Sequence, residues 1–103
     1  MWAQLITTRL KPGKESELPR LMKQLRDAET PHSGFIRATA MQDQNDPSRI
    51  YMLVVFESQE AARARESDPQ REKDLVPARE LMAEIYDGPP EFVDLTVIEE
   101  NAP

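Results

Sequence analysis

His32 is the chain's one histidine and cysteine is absent. Disulfides, thiolate nucleophiles, thiolate metal sites and histidine-rich metal sites are therefore excluded. His32 sits in the breaker-rich run Thr30-Pro31-His32-Ser33-Gly34 and reads as a surface side chain rather than a general base. The carboxylate pairs, Glu99-Glu100 and Glu57 with Glu60, stand where acids are usually solvated or cap a helix. Ser16, Ser33, Ser58 and Ser67 lack a G-x-S-x-G elbow, and a Ser–His–Asp site would have to use His32. The three glycines each mark a turn, and none opens a phosphate-binding loop. Arg63, Arg65, Arg71 and Arg79 could bind an anion. They alternate with Glu60, Glu66, Glu72 and Glu80, however, which is the pattern of a solvated, ion-paired helix face. What remains is a set of large side chains, Trp2, Ile6, Met52, Phe56 and Tyr86, that either line a pocket or fill a core, with filling the simpler reading.

The elements that must position these residues centre on Arg49–Ser58, RIYMLVVFES. Its uncharged, β-branched and aromatic run is of strand length and lacks polar gaps at helical spacing. Met52, Val54 and Phe56 point one way and Tyr51, Leu53 and Val55 the other, so both faces are apolar and the strand belongs inside a sheet. Trp2–Leu10 reads as a second central strand, Phe35–Gln42 as a third, and Phe92–Ile98 as the last. A helix of about 13 residues follows the first strand, capped by Ser16, with Leu18, Leu21, Met22 and Leu25 as its apolar stripe. Ser58 caps a short helix, Gln59–Ser67. Asp68-Pro69 starts another, kinked at Pro77, which buries Leu75, Val76, Leu81, Met82 and Ile85.

The order β-α-β-β-α-β predicts an α+β, ferredoxin-like fold: a four-stranded antiparallel sheet with helices on one face, in a single domain over residues 1–103. Residues 99–103 form a loose polar tail. With helices on one side only, Leu5, Phe35, Tyr51, Leu53 and Val55 would lie open to water over a patch too large for a monomer, so a homodimer through this sheet face is expected. The balance of 19 acidic against 13 basic residues, net −6, argues against nucleic acid or an anionic membrane as partner. No apolar run approaches the roughly 18 residues of a membrane span and no signal-peptide pattern opens the chain, so a cytoplasmic location fits best.

Several stretches carry a family likeness: Lys11-Pro12-Gly13-Lys14-Glu15, Ser33-Gly34-Phe35, Asp46-Pro47-Ser48-Arg49 and Phe56-Glu57-Ser58-Gln59-Glu60-Ala61. Leu75-Val76-Pro77-Ala78 followed by Gly88-Pro89-Pro90 extends it nearly to the end. With these motifs the chain resembles the antibiotic biosynthesis monooxygenase family of dimeric α/β barrels. The resemblance implies a homodimer whose sheets meet back to back, with one ligand pocket per subunit between sheet and helices. Members oxidise quinols, phenols or anthrone-like aromatics with molecular oxygen and neither metal nor flavin; others degrade haem. The family often carries Trp where Phe56 stands, His where Arg65 stands, and Ser-Pro-His-Phe where residues 67–71 read SDPQR. An Asn of haem-degrading relatives falls at Ile6, and with no helix histidine here to hold iron, haem degradation is disfavoured.

The resemblance therefore implies oxidation of a small aromatic quinol or phenol without a cofactor. Trp2, Ile6, Met52, Phe56 and Tyr86 would line the substrate pocket, and Arg65 and Gln70 would be polar catalytic candidates near its mouth. The alternative is a non-catalytic ligand-binding or structural dimer that keeps the barrel without the chemistry.

Overall fold

The computed structural model describes residues 1–29 and 34–103; His32 lies outside the described residues. Four strands, β1 (Trp2–Arg9), β2 (Phe35–Gln42), β3 (Arg49–Phe56) and β4 (Glu91–Thr96), form one antiparallel sheet in the order β2-β3-β1-β4. The two central strands are the two with apolar residues on both faces, as their sequences require. Pairing sets Trp2 opposite Phe56 and Ile6 opposite Met52 and Phe92, so large side chains from three strands share the helix-facing side.

A single 3₁₀ turn, Glu15–Glu17, runs directly into α1 (Leu18–Asp27). Ser16 falls inside that turn and caps nothing; Pro19 is the second residue of α1, in the first turn, where the missing N–H costs no bond. Ser58 caps α2 (Gln59–Glu66), its hydroxyl accepting from the Ala61 N–H at 3.1 Å. Asp68 caps α3 (Pro69–Asp74) through the Gln70 N–H at 3.0 Å. The expected kink at Pro77 is a full break: Leu75 ends α3 and caps α4 (Val76–Ile85), because the proline has no N–H to carry the ladder through. The break resets the helical phase, so Val76 is 48% exposed while Ala78 joins Leu81 and Ile85 in the core. Among the described residues no helix is long and apolar enough to cross a membrane.

Buried side chains gather at the two ends of the helix-facing side. Leu10, Leu21, Ile50, Ala78, Leu81 and Ile85 form the larger cluster. Trp2, Val54, Phe56 and Ala62 form the smaller, with Ile6 and Phe35 packed against it. The strip between them is not filled.

The opposite side of the sheet differs from expectation at two residues. Phe35 is not on it. A β-bulge at Ile36 lets Phe35 pair with Phe56 while Arg37 pairs with Val55, so the extra residue turns the Phe35 ring to the helix side, 5.7 Å from Phe56. Val55 is on the outer face but only 2% exposed, and its neighbour Ala3 is buried too. The C-terminal segment leaves β4 with the Val97 N–H bonded to the Met1 carbonyl and reaches β2 through a Glu100–Arg37 ion pair at 2.6 Å, crossing this end of the face. Between these two contacts Ile98 is 95% exposed. Leu5, Tyr51 and Leu53 stay part-exposed, joined by Val93 and Leu95 of β4.

The turn between β2 and β3 is organised by acids. Asp43 accepts from the N–H groups of Asn45 and Asp46. Asp46 accepts from the Ser48 hydroxyl at 2.6 Å and from Arg9 Nη1 at 3.0 Å. The Ser48 hydrogen bond first, and Arg9 second, hold the Asp46 carboxyl below its usual range. A carboxyl depressed in the folded state adds stability that is present above its unfolded pKa of about 3.9 and lost as pH falls through the folded value. Asp46→Asn should therefore flatten the acid limb of the stability curve below about pH 4. Denaturant titrations of both proteins between pH 2.5 and 6 check this, and an unchanged acid limb would contradict it.

Candidate functional site

The unfilled strip is an open cavity of about 990 Å³ between sheet and helices. Its origin is local. Ala38 and Ala40 of β2 face Val54 and Met52, and two methyl groups cannot reach the helices as larger side chains would. Gln4, Ile6, Met52 and Val54 complete the floor, while Met22, Leu25, Leu75 and Met82 form the roof. One end is aromatic: Trp2 and Phe35 flank Phe56 at centroid distances of 6.0 and 5.7 Å, tilted by 52° and 55°. Tyr86 and Phe92 stand at the other end. All five large residues singled out in the sequence, Trp2, Ile6, Met52, Phe56 and Tyr86, border this cavity, while Trp2 and Phe56 also fill the smaller core cluster.

Tyr86 reaches its place because α4 ends there in extended backbone, bridged to Leu10. Burial pushes its phenol pKa up, against a smaller lowering from nearby Thr8, so near neutral pH it remains a proton donor.

Arg65 does not lie on a solvated face. Ala62, one helical turn earlier, is fully buried, and the same face of α2 carries the Arg65 side chain inward to 10% exposure. Its guanidinium carbon stands 4.4 Å from the Phe35 centroid and 5.4 Å from that of Phe56, a cation–π stack on two rings. Nη2 donates to Glu29 Oε2 at 2.5 Å. Arg71 approaches the other oxygen of Glu29 at 3.6 Å and the Ala28 carbonyl at 3.5 Å. Arg65 Nε is buried with no hydrogen-bond partner among the described residues. The remaining arginines of the series behave as their spacing suggests: Arg63 pairs with Glu66, and Arg79 grips both oxygens of Glu72.

Gln70 is misplaced by the sequence reading. It sits on the exposed side of α3, its amide donating to Asp74 at 3.0 Å, and does not border the cavity. Glu29 was missed, and Arg71, one of the four arginines that could bind an anion, was set aside as part of a solvated face although it borders the cavity. Glu29 lies 36 residues from Arg65, and no local pattern joins them. The buried alanine of α2 was the one signal that pointed Arg65 inward. Among the described residues no three His, Cys, Asp or Glu side chains are grouped as a metal ion would need.

Residues 1–73 match the family model described as antibiotic biosynthesis monooxygenase. The chain belongs to that family. No curated protein sequence matches it. Among solved structures, this antibiotic biosynthesis monooxygenase family member is similar to SnoaB, a cofactor-independent oxygenase from Streptomyces nogalater. The two are 13% identical with a TM-score of 0.75, over 96% of this chain and 94% of that one. A Nitrosomonas europaea protein of unknown function is 20% identical at TM-score 0.73, over 99% and 93% of the two chains. A third, proposed to be an antibiotic biosynthesis monooxygenase from Chloroflexus aurantiacus J-10-fl, is 23% identical at TM-score 0.69, over 99% and 98%. At these identities the structures share the fold with this family member, and the chemistry must be argued from its own site.

Proposed function

We propose that the chain is a cofactor-independent monooxygenase that oxidises a small aromatic quinol or phenol with molecular oxygen. One observation carries the reading: a largely apolar cavity of about 990 Å³, of ligand size, has a buried guanidinium stacked on its aromatic end. An aromatic ring fits between Phe56 and the methionines, and Arg65 sets a fixed positive charge beside a deprotonated oxygen in a poorly hydrated space. Tyr86, held protonated, can donate to an oxygen at the far end. The substrate is itself the reductant. A phenolate gives electrons to O₂, one oxygen atom becomes the new carbonyl para to the original hydroxyl, and the other leaves as water. Phenol plus O₂ thus yields quinone plus H₂O, a balanced four-electron exchange. The protein binds the anion, shields it from bulk water and holds it against O₂.

We further infer a homodimer through the part-exposed outer face, formed by Leu5, Tyr51, Leu53, Val93 and Leu95.

Oxygen uptake by the purified protein tests the activity, with chelator present and without flavin or nicotinamide, against naphthoquinols, menadiol and anthrones after correction for autoxidation. Saturable uptake is expected. Arg65→Ala should lower kcat/KM about 10²-fold, the scale of losing a charge-stabilising donor. Wild-type turnover in Arg65→Ala and Phe56→Ala would remove both residues from the mechanism. A flat panel would favour a ligand-binding dimer instead.

A further inference from the structure

Arg71 is a poorly partnered cation at the cavity wall. Its side chain is 14% exposed, yet its two polar contacts among the described residues, Glu29 Oε1 at 3.6 Å and the Ala28 carbonyl at 3.5 Å, lie at or beyond the long limit for hydrogen bonds. Glu29 is the shared counter-ion, and its other oxygen is committed to Arg65. One carboxylate thus stands against two guanidinium charges, and Arg65 Nε adds a buried donor unbonded among the described residues. Burial first, and the charge of Arg65 second, push the Arg71 pKa down, as expected of cations that are not fully compensated. Setting aside Arg37, whose guanidinium is paired with Glu100, the cavity lining repeats this imbalance, with four arginines to three glutamates in a chain whose net charge is −6.

We propose that the cavity selects a hydroxyaryl carboxylate, with the carboxylate seated against Arg71 and the ring toward Phe35 and Phe56. This rests on reading the cavity as a substrate site. A single unbalanced positive charge matches a monoanion, and the planar guanidinium fork matches a carboxylate. The apolar floor and roof match a ring. The carboxylate is a handle only: no bond to it forms or breaks during oxidation.

Calorimetric titration with 1-hydroxy-2-naphthoate, 1-hydroxy-2-naphthamide and 1-naphthol tests the preference. The carboxylate should bind about tenfold tighter than either neutral ligand or more. Arg71→Met should abolish that advantage, while Arg20→Met, the same charge change on an exposed residue outside the cavity, should keep it. Glu29→Gln removes the competing carboxylate and should widen the advantage. Equal affinities for charged and neutral ligands, or an advantage that survives Arg71→Met, overturn the proposal. Oxygen uptake separates the two readings. Carboxylate-selective binding without uptake upholds the selectivity and overturns the monooxygenase reading. Uptake equally efficient with neutral phenols does the reverse.

Discussion

Gly34→Ala is expected to lower folding stability by about 2–4 kcal/mol, combining a left-handed backbone penalty with overpacking. Gly34 has φ +85°, and a Cβ built there would stand 2.4 Å from the Ala61 Cβ, where β2 begins against α2. Neither side can retreat easily, because the Gly34 carbonyl accepts the Glu57 N–H at 2.7 Å and Ala61 is bonded to its own cap. The other two glycines with positive φ, Gly13 and Gly88, meet nothing within 4 Å, so alanine there should cost the backbone term alone, about 1–2 kcal/mol. Urea denaturation of the three variants checks the ranking. Adding Ala61→Gly to Gly34→Ala should recover the steric share, about 1–3 kcal/mol. If the Gly34 variant is no worse than the Gly13 variant, the close approach of strand and helix is wrong.

Glu29→Gln is the second large effect. It leaves two guanidinium groups near one another with no carboxylate between them, and breaking a buried pair costs about 3–5 kcal/mol. Glu29 keeps 29% of its side chain exposed, so solvent screening brings the expected cost below that range, to about 2–3 kcal/mol. Removing both partners should cost less than the sum: Glu29→Gln with Arg65→Met leaves no unpaired charge of that couple. A double-mutant cycle in urea reads the coupling directly. A coupling near zero would mean that the ion pair does not order this end of the cavity.

The fold was largely legible, and the site only partly, for reasons visible at particular residues. Hydrophobic periodicity is local, so β3's doubly apolar run and α1's stripe announced themselves. The bulge at Ile36 is one inserted residue with no composition of its own, yet it moves Phe35 from one side of the sheet to the other. Pro77 signalled trouble in the helix, but whether a proline bends or breaks depends on packing around it; the break then shifted Val76 out of the core. Arg65 was hidden by its neighbours: alternation with glutamate describes the exposed side of α2, and its turn from Ala62 places it on the other. Glu29 pairs with it across a long loop closure that no window of sequence can register.

The two alanines on β2 bear on how this fold could change its ligand over time. Ala38 and Ala40 set the width of the cavity, yet they lie on an edge strand whose residues, apart from Phe35, are all exposed. Substitutions at such positions seldom change stability by more than about 0.5 kcal/mol. Cavity width is thus set where folding imposes the least constraint. The clusters around Leu81 and around Phe56 can stay fixed while the cavity is widened or narrowed from the edge, which separates the evolution of specificity from the upkeep of the scaffold.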